Sequence, residues 1–402
     1  MKAAIVGGGV GGLAAAIALD RAGVEVEVFE QAPAIEPVGA SLSLGPNAVR
    51  LLDELGQGEG LRRVGAVPDT VDLLRWDDGA LLHRSTLGPP MAERFGAPQL
   101  DFFRPDLQQV LLDAVPAGAL RLGSEVVAVE QDGSAASVVL RDGSRVAADV
   151  VVAADGVRSP IRQQLIGAES PVFSGTVVYR GVARRDDVAD LHPARQNVYW
   201  LGPQRHGVSY WLSHGELLAV TLATREAEWS RESWTLEAPV EEALEFVADW
   251  DGPFRERLRR CPVMLRSAVF IREPIEHWSF GRITLLGDAA HAMEPFQAQG
   301  AAQAVEDAYV LAACLSGLGE TDPVGALRRY ERIRLARAAE LQGSSRAAAE
   351  SFYLADGEEQ RARDAAYAVL HETQPWGPRE RLWDYDVREA LAAGTSYRST
   401  TP

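Results

Sequence analysis

At the start of the chain, the spacing of apolar positions changes twice, and each spacing predicts a different element. Residues 3–6 (AAIV) form an uninterrupted apolar run, which is typical of a strand buried in a parallel sheet. Small apolar residues then fill positions 13–19, as expected for a helix that packs closely on that sheet. Residues 24–29 (VEVEVF) alternate with the period of a second strand. The pattern predicts a strand–helix–strand unit.

Later segments repeat the first part of this pattern. The apolar run 150–154 ends in an Asp-Gly turn, and the run 283–286 ends in Gly-Asp, after which a helical pattern covers about 301–315. Residues 166–278 differ, because runs such as TVVYRGVA, NVYWLG, GVSYWL and LLAVTLA predict an antiparallel sheet. We see no internal repeat.

Composition excludes several classes of protein. With 402 residues, 47% apolar and 24% charged, the chain resembles a globular protein of about two or three domains. Its net charge of −17 argues against nucleic acid or an anionic membrane as partner. The uncharged stretch 3–19 contains glycines at fixed positions and leads directly into a strand, so it is not read as a signal peptide. No other apolar run approaches the ~18 residues of a membrane span.

Single residue types exclude further chemistry. Lys2 is the only lysine, which rules out a P-loop and a Schiff-base lysine in the core. Cys261 and Cys314 lie far apart without metal spacing, so we expect two small core residues in a reducing, cytoplasmic compartment. His291 has no histidine or acid at metal spacing and is expected to be structural, and no metal site is predicted.

The first strand–helix–strand unit carries a dinucleotide fingerprint. Gly7, Gly9 and Gly12 have the G-x-G-x-x-G spacing, which provides a tight turn, close backbone approach to a pyrophosphate and close helix–strand packing. Glu30 ends the second strand, where an acid can accept hydrogen bonds from ribose hydroxyls. The fingerprint alone does not separate NAD from FAD.

The two later turns favour a long dinucleotide. Ligands of open α/β sheets bind outside the carboxyl ends of strands, so the three turns are expected to converge on one ligand with a large second head group. Gly300 and Ala301 would present bare backbone N–H groups at a helix N-terminus, which suits a flavin ring. A surface turn at Asp155 and a tightly packed helix–helix turn near 300 are the alternatives, but the second leaves Asp288 and Pro295 without a role.

Taken in order, G-x-G-x-x-G with Glu30, then ADG, then GDAAH…P…GA resemble the single-component (class A) FAD-dependent aromatic hydroxylases. The likeness is nearest to the salicylate and 3-hydroxybenzoate hydroxylase branch. It extends through PVGASLSLGPNAVRLL, FFRPDLQQVLL, SGTVVYRG, WLGPQRHGVSYWL and RLWDYD, and therefore covers almost the whole chain.

The resemblance implies an α/β fold with α+β insertions, in which a Rossmann-like FAD-binding domain carries a mostly antiparallel substrate-binding sheet, as in para-hydroxybenzoate hydroxylase. The FAD-binding domain is assigned to 1–75, 101–165 and 279–345. The substrate-binding domain is assigned to 76–100 and 166–278, and a helical tail to 346–402. The tail, with several aromatic residues, is expected to serve packing or a subunit contact rather than the cofactor.

Residue roles toward the cofactor follow from the resemblance. Glu30 would bind the adenosine ribose and Asp288 the ribityl–pyrophosphate region, while Arg104 and Gln108, one helical turn apart, would contact the flavin chain. Pro295 would lie over the flavin near the edge that reacts with oxygen. NADH or NADPH would bind transiently, since no second dinucleotide fingerprint occurs.

In this family FAD is reduced by NAD(P)H, and a C4a-hydroperoxide then delivers oxygen to an electron-rich ring. His206 and Tyr210 share one face of a predicted strand and match residues that lie beside the aromatic substrate. A histidine of near-neutral pKa can take the phenol proton. A surface histidine and a core tyrosine are the alternative reading of this pair.

Phe296 and Asn47 depart from the branch, several members of which have histidine at these positions. A second titrating partner is therefore missing, which favours a larger or more apolar substrate, with Gln297 or Gln299 supplying a polar contact.

The leading hypothesis is an NAD(P)H- and O₂-dependent hydroxylase of a small phenolic or aromatic-acid substrate, either a monomer or a homodimer. A reductase or oxidase of the same fold, a tailoring hydroxylase of a larger natural product and a flavin-binding sensor are the alternatives.

Overall fold

The computed structural model describes residues 1–35, 41–192, 195–229, 236–250, 252–316 and 322–394. Part of the segment PVGASLSLGPNAVRLL (37–40) and the last residues of the tail (395–402) lie outside the described residues.

Strands occur along most of the chain, with the longest between residues 172 and 271. They are β1 Lys2–Val6, β2 Glu25–Phe29, β3 Ser41–Leu44, β4 Thr70–Arg75, β5 Leu81–Thr86, β6 Leu100–Phe103, β7 Leu120–Arg121, β8 Val126–Gln131, β9 Ala136–Leu140, β10 Arg145–Ala148, β11 Val150–Ala153, β12 Val172–Arg184, β13 Gln196–Gly202, β14 Arg205–Leu212, β15 Leu217–Arg225, β16 Leu236–Ala238, β17 Met264–Ile271, β18 Ser279–Phe280 and β19 Ile283–Leu285.

The helices are concentrated at the two ends of the chain. They are α1 Val10–Arg21, α2 Pro46–Glu54, α3 Gly58–Val64, α4 Gly88–Phe95, α5 Arg104–Ala114, α6 Pro160–Ile166, α7 Arg185–Val188, α8 Val240–Phe246, α9 Gly252–Arg259, α10 Asp288–His291, α11 Gly300–Leu315, α12 Pro323–Phe352, α13 Glu358–Thr373, α14 Glu380–Asp384 and α15 Val387–Ala393, with 3₁₀ turns at Ser213–Gly215, Pro295–Gln297 and Gly377–Arg379. No helix among the described residues is long and apolar enough to cross a membrane.

The first sheet confirms the predicted Rossmann-like arrangement. Its strand order is β18-β19-β11-β1-β2-β7, and all neighbours are parallel except β18 and β19. Helices α1 and α11 pack against each other beside this sheet. Their small residues allow the close approach: a Cβ on Gly11 would lie 3.1 Å from the Cβ of Ala304. Strands β1, β11 and β19 are adjacent, so the three predicted turns lie at one edge.

The second sheet has the order β16-β17-β12-β15-β14-β13-β4-β5 and is antiparallel except between β13 and β4. One face packs on helices α8 and α9 through an apolar cluster that includes Trp200 and Phe254. The other face, which carries His206 and Tyr210, is turned toward the first sheet and the 295–300 turn.

Three features were not visible in the pattern of the sequence. Strand β4 (70–75) pairs into the second sheet, although its residues were assigned with the FAD-binding domain. Strands β8, β9 and β10 form a separate antiparallel meander within 101–165. Helix α12 runs without a break across the boundary expected at 345. Local periodicity identifies a strand or helix, whereas its partner depends on long-range contacts.

Candidate active site

The glycine turn after β1 combines fold-determined positions with one open position. Gly7 has φ +107°, and a Cβ there would lie 2.4 Å from the carbonyl oxygen of Ala154. A Cβ on Gly12 would lie 1.9 Å from the carbonyl oxygen of Gly7. Gly9, which precedes the first residue of α1, has no atom within 4 Å of such a Cβ. Gly7 and Gly12 are therefore required by packing, while Gly9 leaves space for a ligand at the helix N-terminus.

Glu30 and Gln108 brace this turn. The Glu30 carboxylate accepts hydrogen bonds from the backbone N–H groups of Gly8 (2.7 Å) and Ala32 (2.8 Å). Gln108 Nε2 donates to the carbonyl oxygen of Gly8 at 2.9 Å. Both side chains border the turn, and their contacts with a ribose or a flavin chain stay predictions.

Arg104 and Asp288 face each other across the edge of the sheet. Arg104 is exposed at the start of α5, and its guanidinium makes no hydrogen bond or ion pair with the described residues. Desolvation by the surrounding protein raises the pKa of Asp288, while the charges of His291 and Arg104 oppose this rise. Asp288 itself opens onto the cleft. The arginine is thus available for an anionic group such as a diphosphate.

Asp155 adds an acceptor at the end of β11. Its Oδ2 accepts the Ile161 N–H at 3.4 Å, and its Oδ1 is buried without a hydrogen-bond partner among the described residues. Burial raises the pKa of Asp155 to about 6. Hydrogen bonds from the Ser159 side chain and the Ile161 N–H oppose this rise, and the buried Oδ1 keeps the capacity to accept one further donor from a ligand.

The start of α11 offers donors instead. Gln299 precedes this helix, and its side chain accepts a hydrogen bond from Gln303 Nε2 but none from the backbone of the first turn, so the N–H groups that begin with Gly300 and Ala301 have no side-chain cap. A Cβ on Gly300 would come no nearer than 3.8 Å to Asp288 Oδ1, which leaves the helix start open. Pro295 is exposed just before it. Open backbone at Gly9, a free acceptor at Asp155 and free donors at α11 fit the two ends and the ring of FAD.

A buried polar network supports the 287–300 segment on the side that faces the protein interior. Asp307 accepts hydrogen bonds from the Gly287 N–H (3.0 Å), His291 Nε2 (2.6 Å) and Arg334 Nε (2.8 Å). Burial opposes ionisation of Asp307, but His291 and Arg334 outweigh it and hold its pKa below the ordinary value. His291 lies completely buried here, in agreement with the structural role expected for it.

Asn47 belongs to the same network. Its Nδ2 donates to Gln299 Oε1 (3.1 Å) and to Glu306 Oε1 (2.7 Å), and Gln303 Nε2 donates to the same two oxygens at 3.0 Å each. Asn47 therefore supports the start of α11. The presence of asparagine instead of histidine at this position does not by itself remove a polar group from the substrate face.

His206 and Tyr210 lie on the same buried face of β14, as the alternation predicted. Tyr210 Oη donates to Ser41 Oγ at 2.7 Å, which joins the second sheet to β3. The His206 ring is enclosed by Phe296, Phe352 and Tyr353, with centroids 5.2, 5.4 and 5.6 Å away.

The environment of His206 changes its expected chemistry. Desolvation lowers the pKa of this imidazole to about 3, far from the near-neutral value assumed from sequence. The side chain is therefore a neutral hydrogen-bonding group, because the aromatic wall supplies no charge to stabilise an imidazolium.

Arg180 was missed in the sequence. It lies on β12 opposite Thr221, which in turn pairs with Val208 between His206 and Tyr210. Its Nη1 donates to Ser267 Oγ, and burial lowers the pKa of the guanidinium to about 10. The nearby Tyr210 interacts with this guanidinium electrostatically and opposes the lowering of its pKa. An arginine at an inward position of the apolar run TVVYRGVA is the signal that could have found it.

The C-terminal tail also reaches this region. A small cavity near the 295–300 turn is lined by Ser43, Gly45, Gln99, Tyr199, Gln297, Ala298, Gln299, Arg379 and Trp383. The tail was expected to serve packing or a subunit contact, and it does pack, but it also contributes Arg379 and Trp383 to this wall.

Beneath the cavity lies the buried Asp101. Its carboxylate accepts hydrogen bonds from Ser43 Oγ, Gln99 Nε2 (3.0 Å) and Asn197 Nδ2 (2.7 Å). Burial raises the pKa of Asp101 to about 6, and these hydrogen bonds oppose the rise. The side chain ties β3, β6 and β13 together directly behind the cavity wall.

Comparison with known proteins gives consistent results. Residues 1–345 match the FAD binding domain family. The chain is 39% identical over 384 residues to 3-amino-4-hydroxybenzoate 2-monooxygenase PtmB3 of Streptomyces platensis, covering 96% of this chain and 94% of the relative. It is 35% identical over 394 residues to 3-hydroxybenzoate 6-hydroxylase of Polaromonas naphthalenivorans, covering 96% and 97%. The structure of a salicylate hydroxylase substrate complex superposes with a TM-score of 0.84 at 26% identity, over 100% of this chain and 99% of that one.

Proposed function

Because this chain belongs to the FAD binding domain family and is an FAD-dependent aromatic-ring monooxygenase, we propose that its substrate is a small aromatic carboxylic acid with a ring hydroxyl. The observation that carries this proposal is Arg180 close to the buried Tyr210, on the sheet face that also carries His206 and meets the 295–300 turn. The two relatives compared above are both named for hydroxybenzoates.

Bound FAD, reduced by NADH or NADPH, supplies the activation of oxygen. The residues that would hold it are Gly7, Gly9, Gly12, Glu30, Arg104, Gln108, Asp155, Asp288, Gly300 and Ala301. The chain's own task is then to bind the substrate ring, favour its phenolate and exclude water.

The phenolate is stabilised by charge rather than by a strong base. Moving a proton from a phenol of pKa ~10 to His206, whose pKa is about 3, is uphill by about 10 kcal/mol at about 1.4 kcal/mol per unit. A neighbouring cation lowers the phenol pKa instead. We assign Arg180 as that cation. Tyr210 Oη, which donates to Ser41 Oγ in the free protein, turns its proton to the phenolate oxygen when substrate binds, and neutral His206 offers a hydrogen bond to the substrate.

Ring size is set by the strand next to β14. Ala223, Thr221 and Ala219 stand opposite His206, Val208 and Tyr210, so small side chains face the large ones. We propose that these small side chains accommodate a single ring over the sheet. Phe296 and the aromatic side chains around His206 form a dry wall, which limits loss of the activated oxygen to water.

We also propose that the protein works in the cytoplasm as a monomer or homodimer with molecular oxygen as co-substrate. Both cysteines, Cys261 and Cys314, are free and buried, which suits a reducing compartment.

The test is turnover by FAD-loaded protein with 3-amino-4-hydroxybenzoate, 3-hydroxybenzoate, salicylate and phenols that lack the carboxylate. NADH and NADPH oxidation, hydrogen peroxide and product mass are recorded. We expect NAD(P)H oxidation stimulated by a hydroxyaryl acid and coupled to gain of one oxygen atom. Stimulation only by neutral phenols would contradict the proposed substrate class.

The role of Arg180 is tested with Arg180→Gln and with Arg184→Gln on the exposed end of the same strand. We expect the ultraviolet difference spectrum of bound substrate to show less phenolate at neutral pH only in Arg180→Gln. Equal phenolate in both variants would remove Arg180 from this role.

A further inference from the structure

The tail segment that carries Arg379 is held firmly against the body of the protein. The Thr86 N–H donates to the carbonyl oxygen of Pro375 at 2.6 Å, and Arg50 Nη1 donates to that of Trp383 at 3.2 Å. Trp376 and Trp383 both pack on Phe95, with centroids 5.2 and 5.9 Å away. The position of Arg379 is therefore set by a segment that packs against the rest of the protein.

Arg379 differs from the other arginines around it. Arg94 and Arg381 are exposed and pair with acids, Arg94 with Asp384 at 2.8 Å and Arg381 with Glu340 at 3.5 Å. Arg379 is half-buried and makes no hydrogen bond or ion pair with the described residues. Its guanidinium lies 5.4 Å from the ring centroid of Tyr199. Stacking on an aromatic ring orients a guanidinium while leaving its donors available.

The wall around Arg379 is polar and belongs to the substrate side of the molecule. Tyr199 pairs with Val208, so it stands beside Tyr210 on the same sheet face. Burial raises the pKa of Tyr210, and the nearby Tyr199 adds to this rise. Ser43 lines the cavity two residues after Ser41, which accepts the Tyr210 hydroxyl.

Arg180 and Arg379 act from opposite sides of β14. The strand order places β12, which carries Arg180, two strands away on one side, and β13, which carries Tyr199, next to β14 on the other. With strands about 4.8 Å apart, the two strands are separated by roughly 14 Å. Two long arginine side chains can close much of this distance around a single ring with an anionic group at each end.

We infer that Arg379 binds the carboxylate of the aromatic substrate, and that the C-terminal tail thereby selects acids over neutral phenols. The inference rests on the proposed function, because it requires a hydroxyaryl acid in this site. A carboxylate meets a guanidinium through two parallel hydrogen bonds, and Gln297 lies on the same wall as a further polar contact.

The experiment measures binding of two matched pairs, 3-amino-4-hydroxybenzoate with its carboxamide and 3-hydroxybenzoate with its carboxamide. Dissociation constants are taken from the change in FAD absorbance in the holoenzyme. The variants are Arg379→Gln, Arg379→Lys and the control Arg381→Gln, with FAD content and thermal melting checked for each.

We expect Arg379→Gln to weaken binding of the acids by about 10- to 100-fold, which corresponds to loss of a charged hydrogen-bonded contact of about 1.5–3 kcal/mol. Carboxamide binding should stay within about 3-fold, Arg379→Lys should lie between, and Arg381→Gln should match the unmodified enzyme. Equal weakening of acid and carboxamide, or no change in either, would overturn the inference while leaving the proposed substrate class in place. Failure of the unmodified enzyme to bind any of the acids would overturn both.

Discussion

Replacing Arg334 by methionine tests whether the buried network behind the 287–300 segment maintains the FAD-binding fold. Arg334 is completely buried and donates to Asp307 (2.8 Å), Glu306 (2.7 Å) and Gln303 (2.6 Å). Methionine fills a similar volume but leaves two buried carboxylates without their cation.

The expected cost is large. Removing one partner from a buried ion pair typically costs about 3–5 kcal/mol, because the remaining charge is stranded. Domains are stable by only about 5–15 kcal/mol, so the loss should be measurable without complete unfolding. The stranded carboxylates should bind a proton more readily in the folded state than in the unfolded one. Stability of the variant should therefore fall as pH rises, and its deficit should be smallest in acid.

The assay is urea unfolding of the holoenzyme, followed by near-ultraviolet circular dichroism at several pH values. Arg332→Met, at an exposed position of the same helix, is the control and should change the free energy of unfolding by no more than about 0.5 kcal/mol. A cycle with Glu306→Gln measures the coupling, which we expect to exceed about 1 kcal/mol. If Arg334→Met behaved like Arg332→Met at every pH, the network would have no role in stability.

Two further predictions concern the cleft and its surroundings. Gly12→Ala should prevent stable folding, since its Cβ would lie 1.9 Å from the Gly7 carbonyl oxygen. Gly9→Ala should fold normally and lose FAD affinity, and thermal melting and flavin content measure the two effects. If both variants folded normally and lost FAD, the distinction between the two positions would be refuted. Burial raises the pKa of Glu294 from 4.5 to about 7, while Arg225 and Arg346 oppose this rise, so its folded form binds a proton more tightly than its unfolded form. The Glu294 contribution to stability should therefore be lost as pH rises from about 4.5 to about 7. Glu294→Gln should lose less stability than the unmodified protein over this range, and its remaining loss comes from Asp101 and Asp155, whose pKa values burial also raises. Urea unfolding at pH 5 and pH 8 measures the difference, and parallel pH profiles would count against it.

Taken alone, the sequence determined the parts of this protein that depend on local geometry. Apolar spacing located β1, α1, β2, β11 and α11. The G-x-G-x-x-G spacing identified Gly7 and Gly12 as positions where only glycine fits. Strand alternation placed His206 and Tyr210 on one face. These predictions succeeded because a strand or a glycine turn imposes its pattern on residues that are neighbours in the chain.

Tertiary structure decided the electrostatics and the composition of the site. His206 loses its near-neutral pKa because Phe296 and Phe352, distant in sequence, enclose it. Arg180 and Arg379 join the site only through strand pairing and through the folding of the tail. Desolvation and charge interactions depend on which side chains surround a group in space, and no local pattern in the chain records those neighbours.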